Sequence, residues 1–236
     1  RMGELLYHVD GDLVPADSAT VSVRDRGFMY GDAVFETLRA YGGDVFRWDA
    51  HAERLAGSAE AISLDHGLSE EALKRRVDET LAANELDDAY VKLSVTRGVQ
   101  PGKLTPSPDV DPTVVVQVKP LSRGGVEGEP IWDGPATLQT VKTRRIPDAS
   151  IPSNAKTHNY LNGILARLEL RVSDADEAVM LDGEDHLTEG ATSNLFFVDD
   201  EALCTPSLDG PILPGITRAE VLDIARNEGI PVREGA

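Results

Sequence analysis

Two blocks of mixed periodicity, separated by a stretch with none, constrain this chain most. Up to residue 118, and again from residue 136, β-rich runs adjoin segments whose apolar residues recur every three to four positions. Between them lies Lys119-Pro120-Leu121-Ser122-Arg123-Gly124-Gly125, a run of turn formers. Strands grouped with helices in two segments predict a two-domain α/β (α+β) fold, with a boundary near residue 122 and domains at 1–122 and 123–236.

In the first block, Leu5–Val9, Asp10-Gly11-Asp12 and Leu13-Val14 read as a β-hairpin. Val34–Tyr41, Gly42-Gly43 and Val45–Trp48 read as a second. Helices are expected at Asp49–Leu64, with Leu55, Ala59 and Ile62 on one face, and at Ser69–Ala83. There Ser69 is the N-cap, and Leu73, Val77 and Leu81 recur every four. Tyr90–Thr96 and Thr113–Val118 read as strands joined by a proline-rich loop. The second block predicts a strand at Ala136–Thr143. A helix follows at Tyr160–Val172, with Leu161, Leu165, Leu168 and Val172 on one face. Buried strands are expected at Ala178–Leu181 and Leu195–Val198, a helix at Thr217–Asn227 and a strand beginning at Ile230–Arg233.

Composition narrows the partners. The formal charge is −18, from 23 basic and 41 acidic residues, so the phosphate backbone of a nucleic acid and an anionic membrane surface are both disfavoured. Asp (23) exceeds Glu (18), and Lys (6) is scarce beside Arg (17), a balance that reads as halophilic, the alternative being an acidic mesophilic protein. There is one cysteine, Cys204, no long apolar run and no signal-peptide core, which predicts a cytoplasmic protein. The five histidines, at 8, 51, 66, 158 and 186, are too scattered for a His-based zinc site, and no metal is expected.

Nucleotide-binding, nucleophile-elbow and zinc-protease signatures are absent. Four local features could carry chemistry. Leu213-Pro214-Gly215-Ile216-Thr217-Arg218-Ala219-Glu220 places glycine ahead of a helix, with Thr217 and Glu220 spaced as a capping box. It is either an ordinary capped helix or a phosphate cradle of free N–H groups. Lys156, among the small and polar residues Ser153 to Tyr160, is either an exposed lysine or a desolvated Schiff-base amine. Glu189, before Gly190-Ala191-Thr192-Ser193-Asn194, is a strand ornament or a carboxylate aimed into a pocket. Arg54, three residues after His51, pairs with Glu53 or another surface acid, or clamps a phosphate. An amine, a carboxylate, an arginine and a helix N-terminus together are what pyridoxal phosphate requires.

Six segments then carry a resemblance in order along nearly the whole chain. They are V-S-V-R-D-R-G-F-M-Y-G-D-A-V-F-E-T-L-R-A-Y (21–41), H-A-E-R-L-A-G-S-A (51–59), V-T-R-G (95–98), N-A-K-T-H-N-Y-L-N (154–162), T-E-G-A-T-S-N-L-F (188–196) and L-P-G-I-T-R (213–218). The chain resembles the fold-type IV pyridoxal-phosphate enzymes: branched-chain aminotransferases, D-amino-acid transaminases and aminodeoxychorismate lyases. The resemblance implies Lys156 as the Schiff-base lysine and proton carrier and Glu189 as partner of the pyridine nitrogen. It implies Arg54 with the N–H groups at Gly215, Ile216 and Thr217 on the phosphate, Tyr160 at the phenolic oxygen, and Ser193 and Asn194 lining the site. Tyr30, Phe35, Thr37 and Arg39, with Arg97 nearby, would form the substrate side. It further implies a homodimer, and a larger cofactor-binding C-terminal domain whose last segment this chain lacks.

The departures concern substrate. Branched-chain enzymes read F-E-G where this chain has Phe35-Glu36-Thr37, and often I-R-P where it has Val91-Lys92-Leu93. The R-x-H carboxylate trap of the D-amino-acid enzymes is absent near Gly102-Lys103-Leu104, and Thr37 stands where lyases carry a proton-donating threonine. The expected activity is transfer of an amino group between an amino acid and a 2-oxo acid. The alternatives are a lyase releasing 4-aminobenzoate and pyruvate, and a cofactor-free binding protein.

Overall fold

The structure, a computed structural model, describes residues 4–121 and 134–235. The chain divides into two compact units, Arg1–Gly128 with Ala155–His158, and Glu129–Asn154 with Asn159–Ala236. The boundary expected near residue 122 lies outside the described residues, and the sequence carries no sign that 155–158 join the first unit.

The first unit is built on β1 (Leu6–Val9), β2 (Asp12–Pro15), the one-turn helix α1 (Arg26–Tyr30), β3 (Ala33–Tyr41), β4 (Asp44–Val45), α2 (Trp48–Ala61), α3 (Glu70–Ala83), β5 (Ala89–Thr96) and β6 (Val114–Pro120). Its six strands pair antiparallel in the order β2-β1-β6-β5-β3-β4. The alternation of β3, β5 and β6 decides what each face does. Val34, Leu38 and Ala40, Val91, Leu93 and Val95, and Val114, Val116 and Val118 point to one side. There they pack against Leu55 and Ala59 of α2 and Leu73, Val77 and Leu81 of α3. Each valine or leucine among them contributes roughly 1.5–3 kcal/mol of burial. Ser69 caps α3 as expected, its Oγ accepting from Ala72 N at 3.2 Å. The expected strand Val45–Trp48 is shorter: Arg47 takes a left-handed φ of 52°, which ends the hairpin and starts α2 at Trp48. At its other end β6 runs on through Pro120, paired with Ala89, so the sheet extends into the predicted linker.

Residues 155–158 complete this unit as an extra edge on β3. Phe35 N donates to Lys156 O at 3.0 Å, His158 N donates to Ala33 O at 3.0 Å, and Val34 and Thr157 form an antiparallel bridge.

The second unit contains β7 (Leu138–Thr140), α4 (Leu161–Glu169), β8 (Glu177–Leu181), β9 (Leu187–Gly190), β10 (Phe197–Asp199), β11 (Ala202–Thr205), α5 (Ile216–Asn227) and β12 (Val232–Glu234). Its strands form two sheets, β7-β8-β9 and β10-β11-β12. Three expectations are corrected here. The strand expected at Ala136–Thr143 is only β7. The strand expected to be buried at 195–198 is β10, which is exposed throughout. The helix expected to reach Val172 ends at Glu169, followed by a 3-10 turn over Leu170–Val172, and the apolar side of α4 faces outward: Leu161 is 66% and Leu165 46% exposed, whereas Gly163 and Ala166 are buried. At position 163 the approach is close, since a Cβ there would meet the Ala191 carbonyl oxygen at 2.9 Å, so a side chain at that position would push the backbone away. Among the described residues no helix is long and apolar enough to cross a membrane.

Leu93 lies at the centre of the first unit's core with 1% exposure. Leu93→Ala should lower stability by about 2–5 kcal/mol, read as a shift in urea midpoint with unchanged slope at constant salt.

Candidate active site

The residues singled out from the sequence fall into two clusters. In the first unit the organising group is Glu36, which the sequence reading did not single out. Alternation sends Phe35, Thr37 and Arg39 to one face of β3 and Glu36 to the other, against α2. Arg54 grips it with two bonds, Nε to Oε1 at 2.7 Å and Nη2 to Oε2 at 2.6 Å, and His51 Nδ1 lies 2.7 Å from Oε2. Burial alone would push the Glu36 carboxyl up, but the hydrogen bonds and charges of Arg54 and His51 outweigh it and hold the group below its ordinary value. His51 and Arg54, three residues apart on α2, therefore grasp one buried carboxylate rather than a surface acid. Arg54 is a fixed cation.

One turn further along α2, Ser58 Oγ accepts from Lys156 N at 2.9 Å. With the bonds to β3, this anchors the lysine on both sides. Its Nζ lies 4.6 Å from the Phe35 ring centroid. His158, two residues on, packs edge-on to the same ring at 5.2 Å and lies 3.3 Å from Ser94 Oγ.

Arg97 belongs to another network. Its Nε bonds Asp32 at 2.9 Å, and its Nη1 and Nη2 donate to the carbonyls of Ser63 and Ile62, beyond the C-terminus of α2. Arg26 takes the same Asp32 oxygen at 2.7 Å. Burial opposes the charge on Asp32, but its bonds from Arg97 and Arg26 prevail and lower its pKa. A guanidinium engaged at all three nitrogens and almost fully buried braces the fold and does not present itself to substrate. Tyr30 ends α1 beneath the Arg26 guanidinium, 5.0 Å from ring centroid to Cζ.

In the second unit Glu189 is buried on β9. Arg145, another residue the sequence did not single out, pairs with its Oε1 at 2.8 Å. Leu213 N donates to Oε2 at 3.1 Å, and Asn194 Nδ2 reaches that oxygen at 3.4 Å. Asn194 Nδ2 also donates to Leu213 O at 3.0 Å, tying the loop after β9 to the segment before α5. Ser193 closes a tight turn, its carbonyl accepting from Gly190 N at 2.7 Å. The helix begins one residue before the expected capping box. Gly215 is the N-cap, so Thr217 sits inside the first turn. Packing requires this, because a Cβ at 215 would overlap the Asn194 side-chain oxygen. The glycine leaves the start of α5 without a side-chain cap, which keeps its N–H groups and the dipole's positive end suited to an anion. Tyr160 immediately precedes α4.

A lysine fixed at its backbone, a buried carboxylate within a hydrogen-bonded frame and a glycine-capped helix start are the parts that a lysine-dependent, phosphate-anchored enzyme of the α/β class requires. The comparisons agree. The family model of class IV amino-transferases matches residues 33–236, and the chain belongs to this family. It is a pyridoxal-phosphate-dependent enzyme that moves an amino group between an amino acid and a 2-oxo acid. The protein named "Putative branched-chain-amino-acid aminotransferase" of Methanocaldococcus jannaschii is 40% identical over 96% of this chain and 77% of its own length. The D-alanine aminotransferase of Listeria innocua is 36% identical over 96% of this chain and 76% of its own. The crystal structure of the branched-chain aminotransferase of Thermoproteus uzoniensis with norvaline is 35% identical with a TM-score of 0.88, covering 99% of this chain and 78% of that one.

Burial and the charge of Lys92 push His158 down to about 4. Its folded pKa lies below the free value of 6.5, so the folded state refuses a proton that the unfolded chain accepts. The stability due to the neutral ring is therefore whole above about pH 6.5 and is lost as pH falls from there toward 4. His158→Gln should flatten that part of the stability profile by about 2–3 kcal/mol, measured by urea unfolding at stepwise lower pH.

Proposed function

We propose that Lys156 is the nucleophile and proton carrier of this aminotransferase, and that Glu189, Arg54, Tyr160, Ser193, Asn194 and the N-terminus of α5 hold its cofactor. The observation that carries this reading is the double anchoring of Lys156, between the edge of β3 and Ser58 of α2, with Nζ on Phe35. The donor set suits pyridoxal phosphate: an amine for its aldehyde, a carboxylate for its ring nitrogen, and a helix start and an arginine for its phosphate. When bound, the cofactor supplies an electron sink for the pair left on the amino acid's Cα.

The residues then divide the work. Lys156 Nζ removes the proton from Cα and returns it on the far side of the transfer, which requires the amine in its uncharged form. Glu189 gives the ring nitrogen a negative partner, and a carboxylate has about four acceptor positions, enough to serve Arg145 and Leu213 N as well. Ile216 and Thr217 offer backbone N–H groups to phosphate, and Arg54, immobilised by Glu36, adds a fixed positive charge. Tyr160 meets the phenolic oxygen. Phe35, Thr37, Arg39 and Tyr30 form the substrate side, and Arg97 is removed from it by its bonds to Asp32.

Lys156→Ala should abolish covalent retention of the cofactor after hydride reduction, seen as loss of the added mass. Glu189→Gln should keep binding while lowering kcat about 100-fold or more. L-Leucine or D-alanine with 2-oxoglutarate should yield glutamate. Pyruvate from aminodeoxychorismate, with no glutamate from either donor, would transfer the assignment to the lyases, with Thr37 as proton donor.

We further propose a homodimer. Phe28 on α1 is 72% exposed, and Leu104 is 78% exposed in a loop tied to α1 by Arg26 donating to Lys103 O and Leu104 O. Large apolar side chains exposed on two segments joined in this way suit a subunit contact. The acid-rich, lysine-poor composition supports a salt-adapted protein, and the single buried Cys204 a cytoplasmic one. Phe28→Asp should convert a dimer to a monomer in sedimentation at high salt without changing the circular dichroism spectrum; a monomeric parent protein would remove the dimer.

A further inference from the structure

Two lysines share one aromatic ring. Lys156 Nζ lies 4.6 Å and Lys92 Nζ 4.7 Å from the Phe35 centroid, so their separation is at most the sum of those distances. Strand register brings Lys92 there. β3 and β5 pair Phe35 with Ser94 and Thr37 with Lys92, which makes Lys92 the diagonal neighbour of Phe35 on the face away from α2 and α3. Lys156 arrives on the segment stitched to the edge of β3.

A phenyl ring attracts one cation. A second cation on the same ring lies no further from the first than the sum of those two distances, and partial burial weakens the screening between them by water. The neighbouring groups set the balance. Along this face β3 contributes Arg39 and Tyr41, β5 Tyr90, and β6 Lys119; the acids Asp12 and Asp44 stand on the outermost strands β2 and β4. From the lysine's own segment comes His158, with Asp25 acting on it. Glu36, His51 and Arg54 form their cluster on the opposite face. The three central strands thus surround the pair with positive charge. Lys92 itself registers this: burial first, and then the charge of Lys156, lower its pKa. The repulsion is mutual.

We propose that Lys92 is a positioning residue for the transamination and acts through Lys156: its ammonium group on the shared Phe35 ring disfavours a second charge there and raises the share of Lys156 present as neutral amine. A larger share of the amine that must attack and accept a proton is thereby uncharged at any given pH. This rests on Lys156 being the cofactor lysine.

Trace acetylation of the full chain stripped of cofactor, at graded pH with peptide mass spectrometry of Lys156, reads the amine's pKa directly. Lys92→Gln should raise it by about half a unit to one unit, and Lys92→Arg, which keeps the charge, should restore the parent value. In the cofactor-loaded protein, the pH midpoint of the cofactor's absorbance change should move upward in Lys92→Gln and stay in place in Lys92→Arg. An unmoved or lowered Lys156 pKa in a Lys92→Gln protein with the parent's melting curve overturns the proposal, as do equal shifts in the Gln and Arg variants. The acetylation result does not depend on where the cofactor binds. Covalent cofactor persisting in Lys156→Ala would therefore defeat the functional reading separately.

Discussion

Two backbone hydrogen bonds, Phe35 N to Lys156 O and His158 N to Ala33 O, hold the first unit's chemistry in place. They graft a segment more than a hundred residues downstream onto the edge of β3. A side chain as flexible as lysine loses much rotamer freedom when placed. Here its Cα is fixed by a β-ladder and by Ser58 of α2, so only the side-chain torsions remain to be ordered. The ring that receives the amine is Phe35, on the residue whose own N–H makes the ladder bond. Backbone and side chain of one strand position thus set the lysine together.

The strand's period of two explains how one short stretch does unlike work. Phe35 and Thr37 face outward, while Glu36 between them faces α2 with its charge almost wholly removed from water. That burial would be costly alone. The bidentate Arg54 and the His51 contact offset it, and a pair so buried is expensive to break from either side. The phosphate-binding role proposed for Arg54 thus comes with a structural one, because the carboxylate that keeps the arginine still also joins β3 to α2.

Much of the fold was legible where local chemistry decides it. Ser69 caps α3, the repeats of Leu73, Val77 and Leu81 face the core, and the β5 and β6 runs pair along nearly their predicted lengths. Legibility failed where a distant partner decides. The leucines of α4 look like a core face, but the helix turns Gly163 and Ala166 inward instead, with the Ala191 carbonyl close against Gly163. Thr217 and Glu220 have capping-box spacing, but the helix starts from Gly215, where the nearby Asn194 side chain leaves no room for a Cβ. Arg97 reads as a substrate arginine within V-T-R-G, and only the fold shows Asp32 and the end of α2 consuming its donors. Glu36, Arg145 and Lys92 carry no local signal at all, since each matters through a residue at least fifteen positions away.

The overall charge of −18 conceals a local reversal that the sheet register produces. Outward positions on β3, β5 and β6 carry Arg39, Lys92 and Lys119 and no carboxylate, with Lys156 added over Phe35. Two of the chain's six lysines are on adjacent strands here, and a third sits on the ring between β3 and β5. A substrate bearing a carboxylate, and a cofactor bearing a phosphate, would be repelled by the protein's net charge at long range. At ~1 M salt the screening length falls to ~3 Å, so that repulsion vanishes while the short contacts on this face survive. High salt would therefore ease a conflict present in dilute solution, between an exterior whose net charge is strongly negative and one sheet face whose outward positions carry only cations among their charged groups.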